Sequence, residues 1–165
     1  MTLETAVALS VGLAASGEDL WRRNISNSIP LAALVGGLAV QTMGHGWSGL
    51  GQWFLGAVAG FCVFLIFYML GGMGGGDVKL MAGFGAVLGP TRILEAALWT
   101  AGIGGILAAS VIVWREAKRF WRRRKTTDMS QGADSTAAPE KEDEYIPYAP
   151  AITLGSWLAL IPKGV

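Results

Sequence analysis

The chain has 165 residues, 52% of them hydrophobic and only 15% charged, against about 25% charged in a typical soluble domain. With a mean hydropathy of +0.45, this composition sets a membrane protein ahead of a soluble one. The net charge of +1 carries no partner preference, and a single cysteine, Cys62, excludes an intrachain disulfide framework and a four-cysteine zinc module.

The first residues have neither a basic n-region nor a clear small-residue cleavage site, so no removable signal peptide is expected. A helix that crosses a bilayer needs about 20 mostly apolar residues, with about 17 as a lower bound. Six segments are candidates, which predicts an all-α polytopic membrane helix bundle of about six transmembrane helices. Residues 3–18 come first, short and interrupted by Glu4. Residues 29–43 follow, then 52–70, the clearest of the set. Residues 78–88 are short unless the preceding glycines join them; 93–114 and 146–161 complete the series. Glycine occurs 24 times, much of it inside these segments. Gly56 and Gly60 form a small-xxx-small pair of the kind that lets membrane helices approach closely.

Basic residues set the orientation. Arg22 and Arg23, Lys79, and the run Arg115 to Lys125 with Lys141 fall in alternate connections, which together hold eleven of the thirteen Lys and Arg. Those connections are expected on the cytoplasmic side, with both termini outside. Trp21, Trp114 and Trp121 fit an inner aromatic belt, and Trp47 and Trp53 an outer one. The run 115–125 reads as a basic juxtamembrane helix whose cations face anionic lipid headgroups, each worth about 1 kcal/mol. That explains it without nucleic acid. Residues 126–144 are polar and acidic and read as a disordered cytoplasmic linker. The whole of 1–165 is expected to be one membrane-embedded domain.

The stretch GGMGGGDVKL, residues 71–80, ends an apolar run in glycine and then a carboxylate, Asp77. Asp19 closes the first segment on the same predicted face. Alone, each has an ordinary reading: a solvated helix end for Asp19, an N-cap favoured by the helix dipole for Asp77. Together they are the minimum set for water activation. Two carboxylates held close cannot both ionise, so the charged one takes a proton from water while its partner donates to a carbonyl oxygen. No metal or cofactor is needed. Bulky neighbours would block an incoming backbone, so Gly74, Gly75 and Gly76 leave room for a peptide beside Asp77, and Lys79 stands at the inner surface. His45 reads as an outer-loop residue and Cys62 as a small apolar packing residue.

Gly74-Gly75-Gly76-Asp77 resembles the GxGD motif of aspartic intramembrane proteases, the type IV prepilin peptidases in particular. The first motif of that family is similar to D-x5-[IVL]-P-N. Here Asp19, Ile25 and Asn27 fall at its offsets, and Ser26 stands where proline is usual. The late segment IPYAPAITLGSWLAL resembles the proline-bearing final helix of these enzymes. The resemblance implies an aspartic endopeptidase with Asp19 and Asp77 as its catalytic pair and Ile25 and Asn27 in support. Its partner would be a prepilin or pseudopilin, cut between leader and hydrophobic helix at the cytoplasmic face of a bacterial inner membrane. The chain looks like the short form that serves Flp (Tad) pili, without a methyltransferase segment. Glu18, Asp19 and the acidic linker could attract a basic leader. The alternatives are another GxGD protease, of preflagellin or signal-peptide type, and a non-enzymatic proton-coupled transporter or assembly subunit.

Overall fold

A computed structural model describes residues 2–22, 25–70, 73–126 and 148–161, with backbone alone at 115, 119, 120 and 122–126. These residues form five α-helices: α1 (Leu3–Arg22), α2 (Ser28–His45), α3 (Trp47–Met69), α4 (Gly75–Thr126) and α5 (Ala149–Leu158). They fall into two compact units, one from residues 1–104 with 147–165 and one from 105–146. Of the expected linker, 127–144 lies outside the described residues.

Helix α4 is not straight. Gly89 has φ 78° and ψ 173°, outside the helical region, and Pro90 follows it. A Cβ placed on Gly60 of α3 would meet both the Met81 carbonyl and the Ile93 side chain. Twelve residues of straight helix span about 18 Å, so Met81 and Ile93 reach one glycine only because the chain folds back at Gly89. The two predicted segments 78–88 and 93–114 therefore correspond to two arms of α4, and the first begins at Gly75, three residues before its expected start.

Small residues set the packing. A Cβ at Gly56 would strike the Gly85 carbonyl, and a Cβ at Gly85 would strike that of Gly56, so these two backbones are in direct contact. Gly37 of α2 also packs directly on the Ala86–Val87 peptide, where a Cβ would clash. The Gln41 side chain donates to the Val87 carbonyl at 2.8 Å. On α1, Ala8, Val11, Gly12, Ala15 and Asp19 are buried and repeat at helical spacing, forming one stripe. That stripe receives α5 running antiparallel: the Trp157 indole donates to the Ala8 carbonyl at 3.2 Å and the Thr153 hydroxyl to that of Gly12 at 3.2 Å.

Most bulky apolar residues of α3 point the other way, with Phe64 the buried exception. Phe54, Leu55, Ile66 and Met69 are all more than half exposed, while Gly49, Gly56 and Gly60 are buried. A soluble core helix has the opposite pattern, and small residues inside with large ones outside suit a lipid surround. Helices α3 and α4 are each long and apolar enough to cross a membrane. Among the described residues the structure thus gives an all-helical fold with two helices long and apolar enough to span a membrane, a coarser result than six spans. Cys62 departs from expectation: it lies on the outward face of α3, exposed rather than packed. Trp21, Trp47, Trp114 and Trp121 are all largely exposed, while Trp53 donates its indole N–H to the Leu34 carbonyl at 2.9 Å. In the second unit, the Lys118 ammonium stands over the Trp114 ring at 5.6 Å, a contact worth about 0.5–1 kcal/mol when exposed.

Candidate active site

The two ends of the larger unit differ. One holds Glu4, His45, Gly89 and Arg92, which line a cavity of about 620 Å³. The Arg92 guanidinium pairs there with the Glu4 carboxylate. His45 is the last residue of α2 and exposed. Asp19 and Asp77 occupy the opposite end, where α1 finishes and both α4 and α5 begin.

Asp19 is not a solvated helix end. It continues the buried stripe of α1 and is 0% exposed. Its Oδ2 accepts the N–H of Ala149, the first residue of α5, at 3.2 Å. Tyr148, the N-cap of α5, makes no side-chain cap bond, so Asp19 supplies from another helix the acceptor that a capping residue ordinarily provides. Pro150 follows in the first turn, where its missing N–H costs nothing.

Asp77 is the third residue of α4, not its N-cap. The cap position belongs to Gly74, whose N–H donates to Asp77 Oδ2 at 3.3 Å. This is the reach-back half of a capping box. It occupies one carboxylate oxygen only: Asp77 is 2% exposed and its Oδ1 is buried with no hydrogen-bond partner among the described residues. Buried polar atoms without partners are rare. The Asp19 carboxylate lies within coulombic range of Asp77.

The other motif residues join the same place. Ile25 is buried, and a Cβ built on Gly76 lies 3.3 Å from its Cβ. The Lys79 ammonium donates to the Asn27 side-chain oxygen at 2.9 Å. Two residues of the first motif thus touch the second motif in order, Ile25 at Gly76 and Asn27 at Lys79, while Asp19 and Asp77 are buried at the same end. Gly75 and Gly76 lie in the first turn of α4, and a Cβ on Gly75 would stand 3.7 Å from the Tyr68 ring. Gly71 and Gly72 lie outside the described residues.

Two contributors escaped sequence reasoning. One is the Ala149 N–H, for which the only signal is the proline at position 150. The other is the bond made by Glu18, read from sequence only as a charge that could attract a basic leader: its side chain accepts the Ser26 N–H at 2.9 Å. At the position where the resemblance leads one to expect proline, a serine carries an N–H, and the neighbour of Asp19 satisfies it. Among the described residues no group of three or more His, Cys, Asp or Glu gathers as a metal site would.

Fold and site together define an all-helical, apolar-surfaced bundle with two buried carboxylates at one end. A model of the type IV leader peptidase family matches residues 6–109, a range that contains both. The chain belongs to that family. It is 34% identical over 120 residues to a prepilin leader peptidase/N-methyltransferase of Bacillus subtilis (strain 168), covering 69% of this chain and 39% of that protein. A protein of the same name from Burkholderia pseudomallei (strain 1026b) is 33% identical over 115 residues, covering 66% and 37%. One from Aeromonas salmonicida (strain A449) is 27% identical over 150 residues, covering 87% and 43%. The chain spans about two fifths of the length of these curated relatives. No solved structure matches it significantly.

Proposed function

We propose that the chain is an aspartic endopeptidase that removes the leader from Flp-like prepilins at the cytoplasmic face of a bacterial inner membrane, with Asp19 and Asp77 as its catalytic pair. The observation that carries this reading is the burial of two carboxylates at one end of the larger unit, one of them with an oxygen that has no hydrogen-bond partner among the described residues. Water enters between the pair. The charged carboxylate removes its proton as the oxygen attacks the scissile carbonyl carbon, and the other carboxyl protonates the carbonyl oxygen. The resulting gem-diol collapses with cleavage of the C–N bond: the proton held by the first carboxylate passes to the leaving amine, and the second carboxylate takes back a proton from a gem-diol hydroxyl, which restores the pair. The pair acts as one titrating unit, so neither aspartate has a fixed role before substrate binds.

The relatives' names couple leader cleavage to methyl transfer. The proposal takes the first, because this chain's residues supply the pair it needs. Counting the arms of α4 separately gives six helical segments for the proposed six crossings. Arg22 and Lys79 support a site end that faces the cytoplasm; the run 115–125 is read by itself as a partner of anionic headgroups, in keeping with the exposed Trp114 and Trp121. Co-expression with a leader-bearing pilin, read by mass spectrometry of the pilin N-terminus, tests the reading. Removal of the leader supports it; an uncut pilin beside accumulated, folded peptidase overturns it.

A further inference from the structure

Glu18 precedes Asp19, yet it does not act as a free surface charge. Its side chain is 19% exposed, and its Oε2 accepts the backbone N–H of Ser26 at 2.9 Å. The Arg22 guanidinium stands 3.7 Å from Oε1 but is 74% exposed, and such a pair contributes little. The bond to the Ser26 amide is the stronger tie, because charge-assisted hydrogen bonds to backbone N–H exceed neutral ones.

That tie matters because of what residues 25–27 touch. Ile25 fits against Gly76, and Asn27 accepts from Lys79. Asn27 is also the N-cap residue of α2, yet it makes no side-chain cap bond there; its amide oxygen is turned toward Lys79 instead. The segment is therefore held to the helix of Asp19 by Glu18 and to the helix of Asp77 by Ile25 and Asn27. It is a bracket between the two carboxylates, and the Glu18–Ser26 bond is its α1 end.

We propose that Glu18 is a positioning residue: by fastening the Ser26 amide it fixes the register of Asp77 against Asp19. This rests on reading the two aspartates as the catalytic pair. Misplacing a catalytic group by about 1 Å can cost about a hundredfold. A bond that fixes register but touches no substrate therefore shows in kcat, not in KM.

The test uses the full chain in membranes with a leader-bearing pilin peptide. Glu18→Ala lowers kcat about tenfold, equivalent to about 1.4 kcal/mol, with KM unchanged. Glu18→Gln keeps an acceptor oxygen and stays near the parent rate. Ser26→Pro removes the N–H, so adding Glu18→Ala to it causes no further loss. A second readout needs no activity. In a Cys62→Ser background, the pair Ile25→Cys and Gly76→Cys starts with Cβ atoms 3.3 Å apart, slightly inside the about 3.5–4.5 Å usual in a disulfide, and Glu18→Ala, by releasing the segment, slows its formation on mild oxidation severalfold. The proposal is overturned if Glu18→Ala changes neither kcat nor disulfide formation, or costs as much beside Ser26→Pro as alone. Should the parent chain fail to cut the peptide, the leader-peptidase reading fails, while the disulfide rate still decides the role of Glu18.

Discussion

Ile25 and Gly76 meet closely: a Cβ at residue 76 would lie 3.3 Å from the Ile25 Cβ and 3.7 Å from its Cδ1. This contact sits one residue before Asp77 and six after Asp19. Gly76→Ala is expected to push Ile25 aside by a few tenths of an ångström and lower processing, and Gly76→Val to cost more, about 1–3 kcal/mol of overpacking. Processing assays with both variants, beside Gly76→Ala combined with Ile25→Val, check this. The trimmed isoleucine restores part of the activity if the contact is the cause.

The Asn27–Lys79 bond predicts coupling. Lys79→Met and Asn27→Ala each remove one bond of 2.9 Å, worth about 1 kcal/mol. If the pair acts as one unit, the double variant costs no more than the worse single one. Additive losses in a double-mutant cycle of cleavage rates would show two separate roles.

Gly56 and Gly60 bear on the bundle rather than the chemistry. Each faces a backbone carbonyl of the first α4 arm, which cannot turn away as a side chain can. Alanine at either is expected to cost about 1–3 kcal/mol, measured as reduced melting temperature in detergent. Gly102 has nothing within 4 Å of a built Cβ, so Gly102→Ala serves as the clash-free control, carrying only alanine's helix-propensity gain of about 1 kcal/mol.

Gly89 turns the chain with φ 78°. L-residues reach that region only at about 1–3 kcal/mol, so Gly89→Ala should lower stability by that amount although space is available. An unchanged melting temperature would mean that the fold-back does not depend on this conformation.

Much of this architecture is legible in the sequence. Hydropathy separates 78–88 from 93–114, and the glycine–proline step at 89–90 marks where α4 folds back. Asp19 and Asp77 are readable as neighbours at one end, because alternating segments and the distribution of Lys and Arg fix which ends match. What hydropathy lacks is direction around the helix axis. It counts Cys62 as apolar and cannot tell that it points outward. It also cannot show a backbone N–H seeking an acceptor: the Ala149 bond to Asp19 spans 130 positions. The Ser26 bond to Glu18 spans only eight, yet it depends on a connection whose path no propensity specifies.

The central claim is that Asp19 and Asp77 are jointly required for peptide cleavage. Asn in place of Asp keeps the shape and, at position 19, an oxygen able to accept the Ala149 N–H, so neither substitution should unfold the bundle. The decisive measurement is the mature N-terminus of a co-expressed pilin by mass spectrometry, with Asp19→Asn and Asp77→Asn each confirmed to accumulate in membranes. The account predicts that each variant leaves the leader attached, with processing down by roughly three orders of magnitude or more. Processing by either variant at the parent rate would contradict it.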